Sequence, residues 1–141
     1  MYTADLGHRA LNTVWYEDDP AMRVTVDFPF FAQTGTASTA AVYFEIAPGH
    51  YLGTHTDSAE EILLLLAGRV EATLGDERGP LSAGQAALIP ALVPHGVRNT
   101  GDEVARCVGF FSAATVESVF DRPLLPFGTR HVGTPPAASA E

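Results

Sequence analysis

Four side chains suited to metal or proton chemistry fall into two clusters. His55, Asp57 and Glu61 lie in the run Gly49-His50-Tyr51-Leu52-Gly53-Thr54-His55-Thr56-Asp57-Ser58-Ala59-Glu60-Glu61, and His95 lies between Pro94 and Gly96. Imidazole nitrogens and carboxylate oxygens are the donors that first-row divalent ions take. Two imidazoles and two carboxylates at such spacings, His55, Asp57, Glu61 and His95, can make a metal site. Asp57 and Glu61 are also the candidate catalytic groups, since a carboxylate beside such an ion can act as a general base.

The elements that must position these groups read as short strands. His55 and Asp57 are two apart, so on a strand both point to one face. Glu61, four further along, shares that face if the chain stays extended through Ser58-Ala59, while His95 has to come from another strand. Runs rich in β-formers occur at Met22–Phe28, Thr39–Ile46, Glu61–Leu66, Arg69–Leu74, Gln85–Ile89, His95–Asn99 and Val104–Phe111, with Gly and Pro turn signals between them. Strands this short and this evenly spaced predict an all-β sandwich or barrel rather than βαβ units. The unbroken run Ile62-Leu63-Leu64-Leu65-Leu66 predicts a strand buried on both faces. With Arg69–Leu74 it predicts a hairpin across Ala67-Gly68. Ser112–Phe120 has room for a turn or two of helix before Pro123 and Pro126. The organisation expected is an N-terminal arm at 1–20, a barrel at 21–112 and a C-terminal extension at 113–141 with a disordered tail.

The two clusters resemble the paired motifs of the cupin superfamily. The first family motif is Gly, five residues, His-x-His, three or four residues, Glu, six residues, Gly, and it falls on Gly49, His55, Asp57, Glu61 and Gly68. Asp57 stands where the family has its second His. The second motif falls on Gly84, Pro90, His95 and Asn99, with Leu92 in place of a Gly. The resemblance implies a small single-domain cupin, a double-stranded β-helix or jelly-roll barrel. It also implies a metal held by His55, Glu61 and His95, with Asp57 carried over by position but not by type. It further implies a homodimer, since cupins commonly pair through edge strands.

Asp57 makes the donor set harder than three His and one Glu, which favours Fe(II) or Mn(II), with Ni(II) or Zn(II) as the other candidates. Two alternatives stay open. His55-x-Asp57 with a distant His95 is also the order of a two-His-one-carboxylate triad, leaving Glu61 free as a base and Arg106 as a candidate co-substrate arginine. Asp57 could instead orient a water or substrate as a base without binding the ion. The expected pocket walls are Leu63, Leu65, Ile89, Leu92, Phe110 and Phe111, an apolar lining that suits an uncharged or aromatic small molecule. Dioxygenase-type chemistry on an enol, diketone or phenol is the first expectation. Non-redox cyclase, isomerase or lyase chemistry is the second, and a non-catalytic ligand-binding protein the third.

Composition narrows the partners. With 141 residues and 46% hydrophobic content the chain can bury a core. Eight Lys and Arg against 17 Asp and Glu give a net charge of −9, which argues against nucleic acid and anionic membranes. The lone Cys107 excludes an internal disulfide. Met1–Asp5 lacks the basic start and apolar core of a secretory signal, so a cytoplasmic protein is expected.

Overall fold

A computed structural model describes residues 1–135; the end of the expected disordered tail, 136–141, lies outside the described residues. Twelve strands run in chain order: β1 Asn12–Tyr16, β2 Asp19–Phe30, β3 Ala40–Ile46, β4 Tyr51–Asp57, β5 Glu61–Ala67, β6 Arg69–Leu74, β7 Glu77–Ser82, β8 Ala86–Ile89, β9 His95–Asn99, β10 Ala105–Phe111, β11 Glu117–Leu124 and β12 Thr129–Gly133. They form two largely antiparallel sheets, β1-β2-β3-β10-β5-β8 and β7-β6-β9-β4-β11-β12, which meet where Met22 of β2 bridges Tyr51 of β4 in parallel. This is the jelly-roll barrel expected, and its core lies between the sheets.

Strand alternation decides which side chains enter that core. In β3, Val42, Phe44 and Ile46 join the core cluster. Tyr43, on the opposite face, is fully buried: its hydroxyl donates to Glu45 Oε2 at 2.6 Å and accepts from Arg106 Nε at 2.7 Å. The N-terminal segment approaches here, since a Cβ on Gly7 would lie 3.5 Å from Arg106 Nη2.

The leucine-rich strand β5 differs from expectation. Glu61, Leu63 and Leu65 are buried, but Ile62 is 50% and Leu66 38% exposed, so only one face is buried. Period-two geometry governs even where every residue is apolar. Nor do β5 and β6 form a hairpin. β5 pairs with β10 and β8, whereas β6 pairs with β7 and β9 in the other sheet. Gly68 carries the chain from one sheet to the other at φ +89°, with a would-be Cβ only 2.9 Å from Ala105 Cα.

The ends of the chain also build sheet. Residues 12–16 pair with β2. Where a short helix was expected, β11 adds to β4, and β12 adds to β11. Pro123 is accommodated because the β11–β12 ladder is interrupted between Val119 and Leu124. Gly133 closes β12, and the Thr134 N–H donates to Val116 O at 2.9 Å.

Because Gly68 combines a left-handed backbone with close packing, Gly68→Ala should cost about 1–3 kcal/mol of stability. Urea unfolding of the two proteins side by side would measure it.

Candidate metal centre

Three of the four predicted side chains come from one sheet. β4 supplies His55 and Asp57, and β9 supplies His95, which lies directly across the ladder from His55. Glu61 arrives from β5 in the facing sheet, because the chain bends at Ser58-Ala59 rather than staying extended. All four are buried, with exposures of 7%, 3%, 4% and 3% for His55, Asp57, Glu61 and His95. Asp57 Oδ2 lies 3.0 Å from His95 Nε2 and 3.7 Å from His55 Nε2, and Glu61 Oε1 lies 3.4 Å from His95 Nε2. The donor atoms of His55, Asp57 and His95 fall within 4.8 Å of one another, a set able to hold a metal ion.

The backbone fixes the imidazole tautomers. His55 Nδ1 lies 2.8 Å from Gly53 O and His95 Nδ1 3.0 Å from Val93 O. A carbonyl only accepts, so each Nδ1 carries the proton. In a neutral ring each Nε2 then offers a lone pair to the centre, where the carboxylates also offer lone pairs. Asp57 Oδ2 and His95 Nε2 accordingly have no hydrogen-bond partner although they are buried and adjacent. Facing lone pairs at this distance repel unless a proton or a cation lies between them. Burial works against a proton on His95 Nε2, but such a proton would bond to Asp57 and Glu61, and this outweighs burial and raises the pKa to about 10. Burial and the neighbouring His95 push His55 down to about 4. His55 is thus neutral and His95 holds a proton among the carboxylates, a place that a divalent cation could take instead.

The two carboxylates have unlike surroundings. Burial would raise the Asp57 pKa, but hydrogen bonding to His95, the two imidazoles and Ser118 bring it below the ordinary range. Ser118 Oγ of β11 donates to Asp57 Oδ1 at 2.5 Å. Burial, aided by the Asp57 charge, holds Glu61 above its ordinary value against the pull of His95. The Glu61 carboxylate occupies space that only a glycine leaves open: a Cβ on Gly109 of β10 would clash with Glu61 Oε2 and lie 2.9 Å from Val42 Cγ1.

The quartet forms part of the wall of a cavity of about 320 Å³ between the sheets. Aromatic rings supply much of the rest, namely Phe28, Phe31, Phe44, Phe111, Phe120 and Phe127. Phe120 stacks on His55 with centroids 4.5 Å apart and planes 16° apart. Phe28 and Phe111 stack at 6.3 Å. Of the walls expected from sequence, Leu63 and Phe111 line the cavity. Leu65 and Ile89 are buried in the core without reaching it, whereas Phe110 and Leu92 are 49% and 69% exposed. Alternation explains Phe110, the outward neighbour of Phe111.

Other expectations resolve as follows. Arg106 binds Tyr43 on the far side of its sheet and does not line the cavity, so the co-substrate role is overturned. Leu92 adopts φ 66°, the conformation that suits the glycine of the motif, and its N–H donates to Asp57 O at 2.9 Å. Asn99 is a buried turn residue: it accepts from Gly101 N and donates to Ile46 O and Glu103 O. Cys107 is buried, and burial with the nearby Glu61 charge pushes its thiol up to about 12. Sequence reasoning missed Ser118, Phe120 and Gly109. Ser118 and Phe120 share a face because they are two apart on a strand, but Ser-Val-Phe does not alternate in polarity and prolines follow, so no local signal marked them.

A β-barrel of two sheets with buried His and carboxylate donors at its centre defines a class of small metal-binding barrel proteins. Residues 42–111 match the family model described as the cupin domain, and the chain belongs to the cupin superfamily. It is 42% identical over 64 residues to Protein SchB of Streptomyces halstedii, a match covering 45% of this chain and 46% of that protein. It is 40% identical over 62 residues to Polyketide synthase CurC of Streptomyces cyaneus, covering 43% and 40%. These matches thus span less than half the length of either relative. Among solved structures, oxalate decarboxylase from Lactobacillus farciminis, determined as a formate complex, superposes with a TM-score of 0.68 at 18% identity over 79% of this chain and 33% of that one. Oxalate decarboxylase from Bacillus subtilis, described with Mn(II) centres, gives a TM-score of 0.62 at 17% identity over 76% and 30%. Identities this low speak for the shared fold. No helix among the described residues is long and apolar enough to cross a membrane.

Gly109→Ala should cost about 1–3 kcal/mol through overpacking. Combined with Glu61→Ala it should recover part of that loss, because the carboxylate no longer competes for the space. A double-mutant cycle by urea unfolding reads the coupling.

Proposed function

We propose that this protein is a metal-dependent enzyme that removes a proton from a small, largely apolar enol, diketone or phenol. The observation that carries the proposal is the pair of unpartnered buried atoms, Asp57 Oδ2 and His95 Nε2, facing each other at 3.0 Å beside His55 and Glu61. His55, Asp57 and His95 would hold the ion. This is the two-His-one-carboxylate order, with Fe(II) or Mn(II) favoured by its hardness. When bound, the ion supplies a Lewis acid for a substrate oxygen and, if iron or manganese, one-electron redox chemistry.

Glu61 is the base in this scheme. It reaches in from the opposite sheet and is buried beside His95 and Asp57. Burial raises its proton affinity above that of an ordinary carboxylate, the direction that favours a base. Its carboxylate takes the substrate proton, and the phenylalanine walls exclude water while the enolate or phenolate forms. Phe120 and Phe111 offer flat surfaces for a planar substrate. Dioxygenase-type chemistry on the activated substrate is the first form of the reaction. A non-redox cyclisation is the second. It draws support from the likeness to Polyketide synthase CurC, whose name points to polyketide, hence enolisable, compounds.

Titration of tag-free protein with Mn(II) and Fe(II) should give one bound ion per chain. His55→Ala, Asp57→Ala and His95→Ala should each weaken binding by 10-fold or more, roughly the loss seen on removing a supporting residue. Glu61→Gln should keep the ion and lose turnover of a diketone probe such as acetylacetone. A wild-type protein that takes up no ion would overturn the proposal. Oxygen uptake during turnover separates the two forms of the reaction.

The partner surface proposed is a second copy of the chain. Phe110, Ile62 and Leu88 adjoin one another across β10, β5 and β8, and all three are about half exposed. None is charged, so contact there places no like charges directly against each other, and burial of the apolar patch would have to outweigh the repulsion of two chains at −9. β8 also leaves one strand edge unpaired among the described residues. Sedimentation should give a dimer for the wild type and a monomer for Ile62→Lys/Leu88→Lys.

A further inference from the structure

We propose that Ser118 is a positioning residue that restricts Asp57 to donating a single oxygen, keeping a coordination position open for substrate; this rests on the metal reading above. The Ser118 hydroxyl takes Asp57 Oδ1 at 2.5 Å, leaving Oδ2 as the oxygen that faces His95 and His55. A carboxylate with both oxygens free can take two positions on an ion. One whose outer oxygen accepts a strong hydrogen bond is held to one.

The hydroxyl is itself held by the fold. Ser118 lies directly across the ladder from Asp57, and the next pairs, Val119 with Thr56 and Phe120 with His55, keep the register. Two further bonds lock the end of β4 to β11: Ser58 N donates to Glu117 O at 2.8 Å, and Glu117 N donates to Ser58 Oγ at 2.9 Å. These bonds hold Ser118 in place, and Asp57 cannot turn its carboxylate without breaking the Ser118 bond. The same strand sets Phe120 on His55, so β11 orients two of the three proposed ligands. β11 lies outside residues 42–111, the part matched by the cupin domain. The residue that departs from the family motif, Asp57, is therefore controlled from a segment beyond that match.

Co(II) reports coordination number through its visible spectrum, and azide probes the open position. The experiment loads wild type, Ser118→Ala and Ser118→Thr with Co(II) and titrates each with azide, with circular dichroism as the check on folding. Ser118→Ala should show weaker visible absorption, as Asp57 becomes a two-oxygen ligand, and an azide affinity lower by about tenfold. Ser118→Thr, which keeps the hydroxyl, should restore both. A folded Ser118→Ala with unchanged spectrum and azide affinity overturns the role of Ser118, and so does a threonine variant that behaves like alanine. A wild type that binds no Co(II) overturns the metal reading instead, so the two failures are distinguishable.

Discussion

The structure depends on a concentration of lone pairs in a dry interior. Two imidazoles and two carboxylates converge between the sheets, and each imidazole is fixed by a hydrogen bond from Nδ1 to a carbonyl two residues before it. Those carbonyls belong to the strand entries at Gly53 and Val93, so the local chain path selects the tautomer. Burying such a group unpaired is costly. A proton on His95 offsets part of that cost, and a divalent cation offsets more, because it can be shared by every donor at once. Fold and site are coupled through this one constraint: the barrel excludes water and sets the donors, and the donors then require a positive charge.

Much of the remaining architecture meets that requirement. Gly109 leaves room for the Glu61 carboxylate, and Gly68 sends β6 into the second sheet. Leu92 accepts a left-handed backbone while its loop hydrogen-bonds to Asp57 O just before His95. Non-glycine residues in that conformation cost about 1–2 kcal/mol, so the bond to the ligand strand is maintained against local preference. The outer face of the first sheet shows a different compromise. Ile62, Leu88 and Phe110 stay exposed in a chain otherwise rich in acidic residues, an apolar patch on the face that alternation turns away from the core.

What the sequence revealed follows from how local each signal is. His55 and Asp57 share a face because they are two apart on one strand, a relation that period-two geometry settles alone. The motif spacing led to His95 and to the barrel. The path of Glu61 was hidden, because whether the chain turns at Ser58-Ala59 depends on packing of the two sheets. The leucine run could not announce its exposed face, since Ile62 and Leu63 are chemically alike and only sheet contacts distinguish them. β11 was hidden for the opposite reason: Pro123 is a strong local signal against regular structure, but it lies where the ladder with β12 is already broken. The cavity aromatics Phe28, Phe31 and Phe127 come from segments distant in the chain, and no spacing connects them to the motifs.

Asp57 shows why a single substitution in a motif has to be judged with its surroundings. Replacing an imidazole by a shorter carboxylate adds negative charge to a site that already holds Glu61, and two adjacent buried carboxylates repel. The repulsion is relieved unequally. Asp57 receives Ser118 Oγ as well as the pull of His95, which keeps its charge, whereas burial and the Asp57 charge push Glu61 toward its neutral form against the pull of His95. The environment thus separates two similar side chains into an anchored anion and a group with higher proton affinity. That separation is the pattern by which paired carboxylates acquire distinct roles. In the proposed scheme the anchored anion, Asp57, is the one that would hold the metal, and Glu61 the one that would transfer the proton.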